Sequence, residues 1–121
     1  MRALLDTNIL TDYLGGIAAA REELARHEGP SISAITWMEV MAGAADREEG
    51  TRLRSFLSGF RLVPIDEAVS ELAVAIRRDR RIRLPDAIIW ASARHLGALL
   101  VTRNTRDFPA DEPGVRIPYS T

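Results

Sequence analysis

Four acids on separate stretches of the 121-residue chain, Asp6, Glu39, Asp86 and Asp107, are the residues whose types and spacing could do chemistry. The chain has no cysteine and only two histidines, His27 and His95, which excludes thiolate zinc sites, cysteine nucleophiles and multi-histidine centres. Any metal must therefore be held by oxygen, and a set of carboxylates without compensating cations favours Mg2+, with Mn2+ as a possible substitute. Asn8, Thr102 and Asn104 accompany these acids in sequence as supporting polar groups. Each acid also has a structural reading. Asp6 follows an apolar run and could be a helix cap, and Glu39 completes the T-x-x-E form of a capping box begun at Thr36. Residue types alone leave both readings open.

The elements that must position these residues can be read from the apolar pattern. Pro85 suits a first helical turn and Gly97 the position past a helix end, predicting a largely buried helix over about 85–96 with Asp86 at its start. Ala98 to Val101 follows as a short buried strand ending at Thr102, and the polar loop Arg103 to Phe108 comes next. Ala3 to Leu5 reads as a first strand ending at Asp6, with Thr7 or Asn8 capping a short helix that Gly15-Gly16 terminates. Ala18 to Glu28 is a second helix, Ser31 to Ser33 a strand, and Thr36 onward a helix carrying Glu39. Gly43, one turn beyond Glu39, is expected to mark a close approach, since glycine inside a helix costs about 1 kcal/mol relative to alanine. Arg47 to Gly59 is a helix and Arg61 to Ile65 a strand. Asp66 caps a long helix with Val69, Leu72, Ala73 and Ile76 inward, and Val115 to Pro118 is a terminal edge strand. Alternating strands and helices predict one α/β domain over 1–121, with a mostly parallel sheet covered on both faces. The strand carboxyl ends then share one edge, where the four acids can converge.

Net charge is −1, so the molecule as a whole is not the basic body of a general nucleic-acid binder. Its basic residues are all arginine, and Arg77, Arg78, Arg80, Arg81 and Arg83 crowd the approach to Asp86. One reading is a solvated helix end complementing the negative dipole terminus. The other is phosphate contact, shared with Arg103 and Arg106. The longest uncharged run is too short for a membrane span and the start does not fit a signal peptide, so a cytoplasmic protein without membrane association is expected.

The segments LLDTN around Asp6, SAITWMEVMAG around Glu39, LPDAIIWASARHLGALLVT around Asp86 and TRNTRDF with Asn104 and Asp107 occur in this order across essentially the whole chain. Together they resemble a PIN-domain ribonuclease of the VapC toxin type. That resemblance implies a PIN-like three-layer α/β/α sandwich and a metal-dependent endoribonuclease that hydrolyses RNA phosphodiester bonds. It also implies a homodimer held inactive by a cognate antitoxin protein. Asp6, Glu39 and Asp86 match the three acids of the family site. At the fourth place this chain has Asn104 where many relatives have an acid, with Asp107 three residues on. An acidic groove flanked by Trp37 and Met41 is the expected receptor for an amphipathic antitoxin segment.

Two other classes compete. A receiver-like phosphoacceptor domain shares the length and an acid after the first strand, but that family uses a lysine, and this chain has none. A catalytically inactive PIN-like interaction module is the other alternative, and the intact set of four acids argues against it.

Overall fold

The computed structural model describes residues 2–121, and among them five strands form one sheet with six helices around it. Strands β1 (Ala3–Leu5), β2 (Ser31–Ser33), β3 (Arg61–Val63), β4 (Leu99–Val101) and β5 (Val115–Arg116) lie in the order β3-β2-β1-β4-β5. Every pair is parallel, with Ala3, Leu4 and Leu5 opposite Leu99, Leu100 and Val101 at the centre. The sheet is thus wholly rather than mostly parallel, and β5 is the expected edge. The helices are α1 (Thr7–Leu14), α2 (Ala18–Arg26), α3 (Ala34–Ala42), α4 (Arg47–Leu57), α5 (Glu67–Arg80) and α6 (Leu84–Leu96).

Strand alternation splits the core into two layers. Leu4 and Leu100 point to one face, where they pack with Val69, Ala73 and Ile76 of α5 and with Ile89, Trp90 and Ala93 of α6. Ala3, Leu5, Ile32 and Val101 point to the other, against Ile9 and Leu10 of α1, Val40 of α3 and Leu57 of α4. Because both faces are covered at the centre of the sheet, β1 and β4 are continuously apolar. Asp66 caps α5 as the sequence predicts, its carboxylate accepting from the Val69 amide at 2.9 Å. Gly97 ends α6 at φ 68°, a left-handed conformation that favours glycine.

One consequence of this topology matters for function. The chain builds β1, β2 and β3 outward on one side, then crosses back to place β4 on the other side of β1. The carboxyl ends of β1 and β4 therefore flank a topological switch point, the place where parallel open sheets hold ligands.

At the far edge, the buried Glu23 of α2 fastens β5 to the body. Arg116 Nε and Nη2 donate to its two oxygens at 2.8 and 2.9 Å, and His27 Nε2 lies 2.7 Å from it. The Arg116 bonds, with the His27 contact, hold Glu23 down to about 2 against the opposing effect of burial. A lowered folded-state value contributes stability above the unfolded value and loses it as pH falls toward the folded one. Glu23→Gln is thus expected to cost about 2–3 kcal/mol at pH 7, because it leaves the half-buried Arg116 guanidinium without its counter-charge. In urea melts the gap between wild type and variant should close as pH is lowered from 4.5 toward 2. A gap independent of pH would show that the pair carries no such linkage.

Candidate active site

Asp6 ends β1 and is the N-cap of α1. Its Oδ1 accepts from the Thr7 amide at 2.7 Å, so the cap is Asp6 itself rather than Thr7 or Asn8. The remaining oxygen, Oδ2, accepts from Thr102 Oγ1 at 2.6 Å and Asn8 Nδ2 at 3.1 Å. Capping and the contacts to Thr102 and Asn8 thus use different atoms of one carboxylate. Burial pushes its pKa up, the Glu39 charge adds to this, and bonds from Thr102, Thr7 and Asn8 oppose it.

The capping-box reading of Glu39 is corrected. Ser33, at the end of β2, caps α3 by accepting from the Ile35 amide at 3.2 Å, so Thr36 lies inside the helix and is buried. Glu39 is freed from the helix terminus, and its Oε1 accepts from Thr7 Oγ1 at 2.7 Å. Thr36 Oγ1 stands 2.9 Å from the same Thr7 hydroxyl, fixing it between α1 and α3. Gly43 is the C-cap of α3, where an added Cβ would meet nothing tighter than the Val40 carbonyl at 3.4 Å. It marks a helix end and no close approach.

Asp86 sits in the first turn of α6, whose N-terminus lies at the sheet's carboxyl edge because the helix runs back against β4. Its side chain is 9% exposed, while Arg83, whose Nε lies 3.3 Å away, is 77% exposed. This acid is therefore not without a cation, as the sequence implied, but the cation is held loosely from solvent. Burial, followed by a hydrogen bond shared with Asp107, raises the Asp86 pKa to about 6, with Arg83 opposing and the Asp6 and Asp107 charges adding.

The loop after β4 divides its labour. Asn104 Oδ1 accepts from the amides of Arg106 and Asp107 at 3.1 and 3.3 Å, and its Nδ2 donates to Asp107 Oδ2 at 3.1 Å. Asn104 shapes the turn, and the Asp107 carboxylate stands near enough to Asp86 to raise its pKa. Asp107→Ala is thus expected to reduce activity more than Asn104→Ala, and to bring the Asp86 titration down toward the ordinary carboxylate range. Carboxyl 13C NMR titration together with RNA cleavage assays checks both. A larger loss in Asn104→Ala would transfer the fourth acid's role to the amide.

Asp6, Glu39, Asp86, Asn8 and Asn104 line one cavity of about 260 Å3, together with Thr7, Thr11 and Arg83. Asn8, Arg83 and Asn104 also line an adjoining cavity of about 720 Å3, which Arg103, Thr105, Arg106 and Asp107 complete. One groove thus runs from the acids to a basic margin. Of the seven arginines singled out, Arg83, Arg103 and Arg106 border it. Arg80 instead lies 4.9 Å over the Trp90 ring and donates to Glu112 at 2.7 Å, and Arg78 faces the outer side of α5. Arg77 and Arg81 line neither cavity, and Arg81 closes α5 in a left-handed conformation. Sequence reasoning missed Thr36, Asp12 and Tyr119. Thr36 was read as a cap, and Asp12 and Tyr119 make contacts that no local pattern encodes.

The donor chemistry fits a hard divalent cation: apart from the Arg83 guanidinium, every side chain lining the acidic cavity offers a carboxylate, amide or hydroxyl oxygen. Among the described residues no three carboxylates or imidazoles already stand close enough to cage an ion.

Residues 3–110 match the family model of the PIN domain. Among solved structures, a chain of the toxin–antitoxin complex from Klebsiella pneumoniae is 44% identical, with a TM-score of 0.92 over 98% of this chain and 99% of that one. A chain of FitAcB from Neisseria gonorrhoeae is 27% identical at a TM-score of 0.80, covering 96% of this chain and 97% of its own. A chain of DNA-bound VapBC from Salmonella typhimurium is 26% identical at 0.76, over 97% and 96%. No curated protein matches the chain.

Proposed function

The chain belongs to the PIN domain family, and from that premise we propose that it is a magnesium-dependent endoribonuclease, the toxin of a toxin–antitoxin pair. The observation that carries this reading is the convergence of Asp6, Glu39 and Asp86, from three separate elements, on one cavity at the sheet's switch point. Asp6, Glu39 and Asp86 would hold the cation, with Asp107 beside Asp86. When bound, a divalent ion supplies positive charge that acidifies an attacking water and offsets charge on the leaving ribose oxygen.

The chain's own groups do the rest. Thr7 fixes Glu39, and Thr102 and Asn8 fix Asp6, so two carboxylates are oriented before substrate arrives. Asp86, raised to about 6 by burial and by its neighbour Asp107, is still ionised above neutral pH and so is open to the cation. Arg83 and Arg106, at the groove margin, would bind phosphates on either side of the cut bond. Hydrolysis joins the water oxygen to phosphorus and returns a proton to the leaving oxygen, and no side-chain nucleophile is needed.

An antitoxin partner is supported by relatives solved as toxin–antitoxin complexes. A further groove of about 500 Å3, lined by Leu14, Val40 and Leu53 with Glu39 and Glu49 at its rim, adjoins the site through Thr11 and Glu39. It would take an amphipathic segment that delivers a cation to the acids. Trp37 and Met41, the flanks expected from sequence, instead pack against the core, with Arg54 5.2 Å over the Trp37 ring. No helix among the described residues is long and apolar enough to cross a membrane. A cytoplasmic homodimer remains part of the proposal.

Brief expression of the chain, alone and with the neighbouring reading frame, followed by mapping of RNA 5′ ends, tests the reading. New ends that vanish on co-expression, with the two proteins co-purifying, are expected. RNA left intact by the chain alone would overturn it.

A further inference from the structure

We propose that Asp12 and Tyr119 are positioning residues which act through Arg103 to hold the loop bearing Asn104 and Asp107 in register with Asp6 and Asp86. The proposal deepens the nuclease reading and rests on it. Asp12 stands on α1, which Ile9 and Leu10, both fully buried, root in the core. Arg103 grips it with a two-pronged pair, Nη2 donating to Oδ1 at 2.9 Å and Nε to Oδ2. Tyr119 Oη donates to the same Oδ2 at 2.9 Å, bringing the C-terminal segment back over the clasp.

Asn104 bonds hold the turn together internally, but the loop is tied to the rest of the domain at few points. Thr102 anchors its start through its amide to the Arg116 carbonyl at 3.0 Å, and Phe108 anchors its end, fully buried 5.4 Å from the Trp90 ring. Between these points, Arg103 is bound to α1 twice: its amide donates to Asn8 Oδ1 at 3.3 Å and its side chain to Asp12. Asn8 in turn donates to Asp6. The same residue therefore fixes both the loop's height over α1 and the amide that orients an active-site carboxylate.

This geometry assigns Arg103 to architecture although it borders the groove. The planar guanidinium matches a carboxylate bidentately, and a pair of that kind is specific to arginine. The Arg103 bonds and the Tyr119 hydroxyl hold Asp12 below its ordinary pKa, so the carboxylate stays charged and Arg103 stays neutralised. A cation so compensated adds little to phosphate attraction, unlike the exposed Arg83 and Arg106.

The test uses the full chain, a synthetic RNA oligonucleotide containing the mapped cleavage site, and Mg2+. Asp12→Asn and Arg103→Lys are expected to lower kcat about 10- to 100-fold with KM within about twofold, as misplacement of a reacting group does. Tyr119→Phe, which removes one hydrogen bond, should lower it about threefold. The Asp12→Asn/Arg103→Lys double variant should be no slower than the slower single one, because both break one clasp. If Arg103 instead bound RNA, Arg103→Lys would raise KM at unchanged kcat, and Asp12→Asn would lower KM by freeing the guanidinium; either result overturns the proposal. Hydrogen exchange at the Asn104, Arg106 and Asp107 amides supplies a readout independent of RNA. Faster exchange there in Asp12→Asn and, less, in Tyr119→Phe supports the clasp, and unchanged exchange in both overturns it. A wild type that cleaves nothing would remove the nuclease reading, while the exchange result still decides whether the clasp sets the loop.

Discussion

Asp86→Asn is expected to lower RNA cleavage by about 10^3-fold or more, about 4 kcal/mol of transition-state stabilisation, without unfolding the protein. The replacement keeps the shape and removes one charge from the groups proposed to hold the cation. Its amide also supplies a donor that the neighbouring Asp107 carboxylate can accept. Asp6→Asn should be as inactive but less innocent. Oδ1 can still cap α1, yet an amide nitrogen in place of Oδ2 would confront the donors Thr102 Oγ1 and Asn8 Nδ2. Single-turnover cleavage with saturating protein, alongside circular dichroism, checks both variants. An Asp86→Asn protein that cleaves and arrests growth as wild type does would remove Asp86 from the site.

The same substitution is expected to raise stability when metal is withheld. Asp86 is buried beside other acids, and its folded-state value near 6 lies above the ordinary 3.8. A raised value means that the folded form binds the proton more tightly than the unfolded form. Its favourable contribution is full below the unfolded value and is lost as pH rises through the folded one, between about pH 4 and 6. At pH 7.5 the ionised group therefore disfavours the fold by about 2–3 kcal/mol relative to a neutral isostere. In EDTA at that pH, Asp86→Asn should melt several degrees above wild type, at about 3–5 °C per kcal/mol for a chain of this size. Mg2+ binding only the folded form adds about 1.4 kcal/mol at tenfold excess over its Kd, and should raise wild type more than the variant. The acid limb runs the other way at Glu23, so wild-type stability should rise on acidification to about pH 4.5 and then fall. Melts at matched ionic strength decide this. A variant that melts lower in EDTA, with a wild type indifferent to Mg2+, would reduce these acids to caps and surface charges.

Elements that announce themselves locally were legible in the sequence. The apolar runs at residues 3–5 and 99–101 became the paired central strands, and Pro85 and Gly97 bracket α6 as their backbone preferences require. The three matched acids did reach one cavity. What could not be read were choices between equivalent local signals and contacts made across the fold. Ser33 and Thr36 are both competent caps three residues apart, and only the end of β2 selects Ser33. Asp6 read as cap or site because one carboxylate has two oxygens, and the structure uses each for a different purpose. The arginine run looked like one basic strip, yet a helix turns successive residues about 100° apart. It sends Arg78 outward and Arg80 onto Trp90, leaving Arg83 beside Asp86. The pairing of Asp12 with Arg103 and Tyr119 joins α1 to positions near the far end of the chain, and no local pattern predicts it.

We propose that these carboxylates hold a divalent cation and that the cation-bound chain cuts RNA. The most direct test is cleavage of a defined RNA by purified wild type and Asp86→Asn across a Mg2+ titration, beginning in EDTA. No cleavage is expected in EDTA, with a saturable rise on adding Mg2+ to wild type and a flat response in the variant. Cleavage in EDTA at the rate seen with Mg2+, or equal Mg2+ curves for the two proteins, would contradict it.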